Sequence, residues 1–260
     1  MKDGHIHTPY CPHGTKDTFD DYVKKSIEVG LDEISFTEHF PLPDGFKDPA
    51  PDDDSSIKLN QMEDYLKDVN EIKNKYKDQI KINVGAEVDY IEGFEEGIKD
   101  LLNKYGEYLE DSVLSVHMVK IDDQYYCMDF SSGEFEKLID LLGSVEDVYN
   151  LYYETLIKAV KSDLGPYKPK RIGHLNLVRK YNKKYPYDYS KNQKLKELVE
   201  LISEKGYELD YNVAGLFKED CGETYISGYL AELVKKYNIK VVLGSDSHSA
   251  KYIDKYEINI

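Results

Sequence analysis

The chain has 260 residues, of which 40% are hydrophobic and 32% are charged, so it can bury one large core under a solvated surface. Its 50 acidic and 34 basic residues give a formal net charge of −16, which argues against a nucleic-acid or membrane partner. No apolar run approaches the ~20 residues of a membrane span, and no signal segment opens the sequence. Three cysteines without a CxxC pair form no disulfide framework, so we expect a cytoplasmic protein.

Short apolar runs alternate with amphipathic stretches along the chain, which is the pattern of β-α units. The apolar runs predict seven strands, at 4–8, 33–37, 80–88, 112–118, 171–175, 207–213 and 241–245, and a small extra strand at 125–128. Helices are predicted at 19–29, 57–77, 94–105, 134–160, 193–205 and 224–237. Thr18 is placed to cap the first helix, and Gly143-Ser144 to break the fourth. This order favours one domain, residues 1–260, with a parallel sheet that is open or closed into a barrel.

The histidines all lie at or just beyond the C-terminal end of a predicted strand, the edge where parallel α/β folds build their sites. They are His5, His7, His13, His39, His117, His174 and His248. Two acids, Glu87 and Asp246, share this position, and a carboxylate at the end of an apolar strand is costly to bury unless it is paired or bound to a cation. His5 and His7 are two residues apart on one strand, so both imidazoles point to one face and can reach one metal ion.

These nine nitrogen and oxygen donors exceed what one four-coordinate ion uses, so the sequence predicts a cluster of two or three divalent ions. With no thiolate pair among them, the donor set suits Zn, Mn or Fe. Taken alone, His174 is explained as a hydrogen-bonded core residue, and His13 as a surface residue in a turn. The common position of every histidine is what favours metal binding. A nucleophilic role for Cys11 is not expected beside so many better-placed groups.

Six segments carry these donors. They read HIHTPYCPHG at 5–14, FTEHFPLP at 36–43, GAEVDY at 85–90, SVH at 115–117, GHLNL at 173–177 and GSDSH at 244–248. In this order they resemble the motifs of the PHP (polymerase and histidinol phosphatase) superfamily, and more narrowly its monofunctional histidinol-phosphatase branch. The resemblance implies a distorted (β/α)7 barrel with its metal site at the C-terminal ends of the strands.

The resemblance also implies how three ions share the donors and what the site does. One ion takes His5, His7, Glu87 and Asp246, a second shares Glu87 and adds His117 and His174, and a third takes His13, His39 and His248. The implied reaction is the hydrolysis of L-histidinol phosphate to L-histidinol and phosphate, in histidine biosynthesis. A metal-bound hydroxide at this trinuclear site would attack phosphorus, with Glu87, Asp246 and His248 as the catalytic residues.

The substrate contacts are less well defined by the sequence. Where the family often has a Gly-Leu-Arg segment, this chain reads Gly-Leu-Phe at 215–217, so one guanidinium is missing. Arg179, Lys120 and Lys218 are candidate phosphate contacts, although a solvated surface base explains each of them equally well. Two other functions stay open: a PHP phosphoesterase acting on a nucleotide, a sugar phosphate or phosphotyrosine, and a metal-binding module without catalysis.

Overall fold

Seven parallel strands form one curled sheet in the computed structural model, which describes residues 1–260. The strands in chain order are β1 (Lys2–Ile6), β2 (Glu33–His39), β3 (Lys81–Asp89), β4 (Val113–Ser115), β5 (Met118–Ile121), β6 (Gln124–Cys127), β7 (Arg171–Ile172), β8 (Glu208–Asn212) and β9 (Val241–Gly244). The sheet has the order β1-β2-β3-β4-β7-β8-β9, and β5 and β6 form a separate antiparallel hairpin.

The segment after β9 returns to β1 and nearly closes the sheet into a barrel. The backbone N–H of His7 donates to the carbonyl of Ser247 over 3.1 Å, and that of Asp246 donates to the carbonyl of His5 over 2.8 Å. The distorted seven-stranded barrel that the motifs implied is therefore confirmed. Closure matters for the site because it brings the first and last motifs of the chain side by side.

Seven helices pack around the sheet, and a cluster of 66 buried hydrophobic residues forms the core. The seven helices are α1 (Phe19–Glu28), α2 (Met62–Tyr76), α3 (Glu95–Tyr105), α4 (Ser132–Leu142), α5 (Val145–Lys161), α6 (Gln193–Lys205) and α7 (Gly228–Lys236). Thr18 forms a capping box with Asp21 at the start of α1. Gly143, at a φ of 100°, ends α4, and the Ser144 side chain caps α5, so the predicted break is confirmed. No helix combines the length and the apolar character that crossing a membrane requires.

Two barrel strands end three residues earlier than the sequence predicts, at Ser115 and Ile172. Two residues beyond each end, a backbone donor bonds to a side chain instead of to a neighbouring strand. The N–H of His117 donates to an Asp89 carboxylate oxygen over 3.2 Å, and the N–H of His174 donates to Asp210 over 3.3 Å. At these two positions the regular pairing of the sheet ends and the residues of the site begin.

Candidate metal centre

The nine predicted donors converge at the C-terminal end of the barrel strands, around one cavity of about 420 Å³. Seven of the nine line the cavity, namely His13, His39, Glu87, His117, His174, Asp246 and His248. The other two, His5 and His7, are fully buried and lie close to Glu87, as the distances below show. The structure therefore brings together every residue that the sequence analysis named as a metal ligand.

Glu87, near the end of β3, lies among five imidazoles. Its Oε1 is 2.8 Å from His174 Nε2 and 3.7 Å from His117 Nε2. Its Oε2 is 3.6 Å from His5 Nε2 and 3.5 Å from His7 Nε2. Burial opposes ionisation, but the positive charges of His117 and His5 hold the pKa of this carboxyl well below its ordinary value. His39 Nδ1 also lies 3.1 Å from Oε2, so both carboxylate oxygens face imidazoles and Glu87 could serve as a ligand to two cations.

Asp246 brings a second carboxylate to the same place. Its Oδ1 lies 3.1 Å from His7 Nε2 and 3.8 Å from His5 Nε2. Its backbone has a φ of 52°, in the left-handed region that is uncommon for residues other than glycine. An unfavourable backbone conformation that persists because its surroundings enforce it is typical of functional sites.

Three further histidines form a group beside the first one. The Nε2 atom of His13 is 3.2 Å from Nε2 of His248 and 3.3 Å from Nε2 of His39. A tetrahedral zinc ion with Zn–N bonds of about 2.0–2.1 Å separates its ligand atoms by about 3.3–3.4 Å, so this spacing fits one ion. The Cys11 thiol also lies close, within 4.8 Å of nitrogen atoms of His7, His39 and His248. Burial, reinforced by Glu38, raises the pKa of the thiol, which keeps it protonated.

The inner histidines are oriented by buried acids that the sequence analysis did not single out. The pairs are His5 Nδ1 with Asp210 Oδ2 at 2.7 Å, His7 Nδ1 with Glu38 Oε1 at 3.3 Å, and His117 Nδ1 with Asp89 Oδ1 at 2.8 Å. Such a carboxylate fixes the tautomer and the ring orientation, and leaves Nε2 free to bind a cation.

For two of these acids the sequence did carry a signal. Asp89 stands two residues after Glu87 on β3, and therefore on the same face of the strand. Glu38 directly precedes His39, and two adjacent ionisable residues at the end of an apolar strand indicate that both serve one site. Asp210 had a weaker signal, because β8 also contains the carboxylate of Glu208.

Unpaired buried atoms at the centre indicate that cations complete it. His5 Nε2 is buried without a hydrogen-bond partner, and such an atom costs about 1–3 kcal/mol. His39 Nδ1 and Glu87 Oε2 are only 3.1 Å apart, but they form no well-aligned hydrogen bond. Two sets of donors, His5 with His7 and Glu87, and Glu87 with His117 and His174, each lie within 4.8 Å of one another. The residues present thus fit a group of two or three divalent ions.

Two glycines leave room for the groups that position these ligands. A Cβ atom on Gly244 would lie 1.9 Å from Asp210 Oδ1, and one on Gly173 would lie 2.2 Å from Ser115 Oγ. The Ser115 hydroxyl donates to Glu87 Oε1 over 2.7 Å. A side chain at Gly173 would therefore displace the hydroxyl that orients the central carboxylate.

We expect Gly173→Ala to lower the catalytic rate by at least about tenfold and to destabilise the fold by about 1–3 kcal/mol, because the added methyl group overpacks Ser115. Gly133→Ala is the matched control, since its Cβ would meet nothing closer than 3.7 Å. Steady-state kinetics and urea unfolding of both variants test this. If Gly173→Ala keeps the activity and stability of the control, the position of the Ser115 hydroxyl is not required for catalysis or for the fold.

The comparisons with known proteins agree with this geometry. The family model of the PHP domain matches residues 3–214. The chain belongs to the PHP family. It is 43% identical, over 253 residues, to a histidinol-phosphatase of Bacillus subtilis, and the match covers 96% of this chain and 94% of that one. The resemblance inferred from the six motifs is thus confirmed.

Two solved structures of PHP proteins share the fold. A crystal structure from Listeria monocytogenes, described as a candidate histidinol phosphatase, has a TM-score of 0.93 at 36% identity and matches over 97% of each chain. A histidinol phosphate phosphatase from Lactococcus lactis, solved with zinc, L-histidinol and phosphate, has a TM-score of 0.72 at 23% identity. That match covers 96% of this chain and 86% of the other. The second likeness supports the barrel architecture.

The wall of the PHP barrel cavity contains only one of the three bases that the sequence analysis named as phosphate contacts. That residue is Lys218. Arg179 instead pairs with Glu223 and lies over the Tyr189 ring at 4.2 Å. Lys120 lies over the Tyr125 ring at 5.5 Å, and neither of these two bases lines the cavity.

A base that the sequence analysis missed, Lys180, lines the cavity instead. Its ammonium group donates to the carbonyl and to a carboxylate oxygen of Asp129, over 2.6 and 2.9 Å. Burial opposes the charge, but Asp129 raises the pKa of Lys180 above its ordinary value. An ammonium has three N–H donors, so one of them is left for a ligand. The sequence alone could not choose between the neighbours Arg179 and Lys180, because the choice depends on which way each side chain points.

Proposed function

We propose that this PHP protein hydrolyses L-histidinol phosphate to L-histidinol and phosphate, a step of histidine biosynthesis. One observation carries the proposal: the nine donors converge at one site, with seven of them lining its cavity, in a chain that is 43% identical to a histidinol-phosphatase over nearly its whole length. Its three cysteines are unpaired, which supports the expectation that it works in the reducing cytoplasm.

We assign the nine donors to two or three divalent ions, with Glu87 shared between two of them. Zinc is the ion in the Lactococcus lactis structure, and the imidazole and carboxylate donors also suit Mn and Fe. When bound, such ions neutralise phosphoryl charge and lower the pKa of a bound water toward neutrality. The chain holds the ligands in place through Asp210, Glu38 and Asp89. The residues that the sequence analysis named as catalytic are Glu87, Asp246 and His248. All three line the cavity and can face the phosphoryl group.

The rest of the cavity wall suits a small phosphate ester that also carries an amine. Lys180 and Lys218 offer positive charge to the phosphoryl oxygens, while Asp54 and Asp129 supply negative charge nearby. The exposed ring of Phe130 also lines the cavity and offers an apolar face to a planar imidazole. A volume of about 420 Å³ lies within the usual range for small-molecule sites. L-Histidinol phosphate combines a phosphate, an amine and an imidazole, and it matches each of these features.

The deciding experiment is phosphate release from L-histidinol phosphate by protein loaded with Zn, Mn or Fe, beside a panel of other monoesters. We expect a strong preference for L-histidinol phosphate that is lost on chelation. Hydrolysis of nucleotides, sugar phosphates or phosphotyrosine in its place would assign the site to another phosphoesterase. If metal-loaded protein hydrolyses none of the esters, the chain is a metal-binding module without catalysis.

Metal uptake is expected to release protons. In the metal-free chain burial opposes protonation, but Asp246 and Glu38 raise the pKa of His7 to about 9. Asp89 and Glu87 raise that of His117 to about 10 in the same way. Both imidazoles are therefore protonated at neutral pH and must lose a proton to bind a metal ion.

It follows that the apparent metal affinity should rise with pH, by about tenfold per pH unit for each displaced proton, until the pH passes these pKa values. Titration calorimetry with Zn²⁺, in buffers that differ in ionisation enthalpy, counts the protons released. Asp89→Asn removes the nearest acid from His117, so we expect that variant to release fewer protons at neutral pH. A proton count of zero for the unmodified chain would contradict ligation by His7 and His117.

A further inference from the structure

Tyr225 contributes a side chain with an unengaged hydroxyl to the wall of the active-site cavity. The residue is only 1% exposed, yet it lines the cavity, and its hydroxyl makes no hydrogen bond within the chain. Burial raises the pKa of this hydroxyl well above its ordinary value, and the charges of Asp246 and Asp129 add to the effect. The group therefore remains an uncharged O–H donor, close to both the ligand cluster and the wall that carries Lys180.

The ring of Tyr225 is held firmly in this position. It meets the His174 ring edge-on, with centroids 6.2 Å apart and an interplanar angle of 73°. A Cβ atom on Gly215 would lie 3.3 Å from its Cε1, so the ring packs directly over that glycine. The backbone N–H of Tyr225 donates to the carbonyl of Asn212 at the end of β8 over 3.0 Å. A donor fixed in this way can act without reorganising during the reaction.

Most other donors in the cavity wall are engaged or lie farther out; the exception is the Ser247 hydroxyl, which lines the cavity and is buried without a partner. Lys180 spends two of its three donors on Asp129, and the Cys127 thiol donates to the same carboxylate over 3.5 Å. Tyr252 is 43% exposed and packs against Phe217. Tyr225 therefore combines burial beside the cluster with an unused, uncharged donor, and it carries that donor on a long side chain next to the His174 ring, whereas Ser247 carries its hydroxyl on a single carbon between the ligands Asp246 and His248.

Building on the proposed function, we propose that the Tyr225 hydroxyl donates a hydrogen bond to the ester oxygen of the substrate that leaves as the alcohol. Cationic groups suit the phosphoryl oxygens, which are charged before and after the reaction. The ester oxygen is neutral in the substrate and gains negative charge only as its bond to phosphorus breaks. A neutral donor aimed at that oxygen thus stabilises the transition state more than the ground state.

The hydrolysis balances with Tyr225 unchanged. The bond between phosphorus and the ester oxygen breaks, and its electron pair stays on that oxygen. The oxygen of water forms the new bond to phosphorus, and its two hydrogens end on the alcohol and on the phosphate. Tyr225 lends a hydrogen bond and gives up no atom, so its role is to stabilise charge on a reacting atom.

The test is the Tyr225→Phe variant of the full-length, metal-loaded enzyme, which loses only the hydroxyl and keeps the packed ring. We expect kcat for L-histidinol phosphate to fall by about 10²-fold, with KM changed by less than about threefold. For an aryl phosphate that the wild type hydrolyses, such as 4-nitrophenyl phosphate, the loss should be less than about threefold, since its leaving oxygen needs little stabilisation. Tyr252→Phe is the matched control, because it removes a hydroxyl from the outer part of the same cavity.

Inorganic phosphate is the second probe, because it lacks the leaving group. Its inhibition constant should be the same for Tyr225→Phe and for the wild type. Equal losses on both esters, or weaker inhibition by phosphate, would overturn the proposal by placing the hydroxyl on another phosphoryl oxygen. Unchanged kinetics of Tyr225→Phe would overturn it as well. A wild type that fails on L-histidinol phosphate while Tyr225→Phe lowers the rate on its true alkyl ester would refute the proposed substrate and leave the role of Tyr225 intact.

Discussion

Replacing Glu87 with Gln is expected to lower kcat/KM for L-histidinol phosphate by about 10³-fold or more, since metal ions contribute several kcal/mol to such transition states. The side chain is 1% exposed, and its two oxygens face His174, His117, His5 and His7. An amide has the same shape but no negative charge, and it turns an N–H₂ group toward imidazole nitrogens that should face a cation. Two ions would then lose their shared ligand.

The experiment needs activity, metal content and folding measured on the same preparation. Glu92→Gln is the matched control, because Glu92 pairs with Lys158 over 2.7 Å and does not line the cavity. We expect Glu87→Gln to bind fewer ions by elemental analysis and to keep the circular dichroism spectrum of the wild type. Full turnover by Glu87→Gln, with the wild-type metal content, would refute the bridging role.

Chelation is expected to abolish hydrolysis and to lower the thermal stability of the fold at the same time. Without cations, the buried atoms His5 Nε2, His39 Nδ1 and Glu87 Oε2 form no well-aligned hydrogen bond. An ion present at about 1,000 times its Kd stabilises a protein by about 4 kcal/mol, which corresponds to a fall in Tm of roughly 8–16 °C for a chain of this size. Differential scanning fluorimetry before and after treatment with EDTA measures the change.

Restoring the metal distinguishes this loss from irreversible damage. We expect Zn²⁺, Mn²⁺ or Fe²⁺ to recover both activity and Tm, whereas Mg²⁺ should recover neither at equal concentration, because seven of the nine donors are imidazoles and Mg²⁺ prefers oxygen. A chelated protein that is shown to be metal-free, yet keeps its activity and its Tm, would be incompatible with the proposed centre.

Much of the fold and the ligand set could be predicted from the sequence, because both depend on local pattern. Apolar runs alternating with amphipathic stretches predicted all seven barrel strands, and Thr18 and Ser144 cap helices where the sequence placed them. The strand ends at 115 and 172 were predicted too late. Just beyond these ends, backbone N–H groups donate to carboxylates of other strands instead of to backbone carbonyls. A local sequence pattern cannot show such a contact between distant segments.

The substrate wall shows where prediction from the sequence stops. Arg179, Lys120 and Lys218 were chosen by residue type, and only Lys218 lines the cavity. Lys180 and Tyr225 line it as well, but nothing in their own neighbourhood distinguishes them from the other lysines and tyrosines of the chain. Their importance comes from the cavity that they face, and the cavity exists only once the barrel has closed.

The donor atoms of this protein, and the strand ends at which they stand, could be read from its sequence, since strand periodicity and the order of the motifs are local properties. The groups that hold those donors in place depend on how distant segments pack together. Asp210 reaches His5 across 205 residues of sequence, and this contact requires β1, β8 and β9 to meet in the barrel, with Gly244 leaving space for the carboxylate. Distances between remote segments are set by the packing of the whole core, so a ligand can be predicted from its own motif, whereas the residue that orients it cannot.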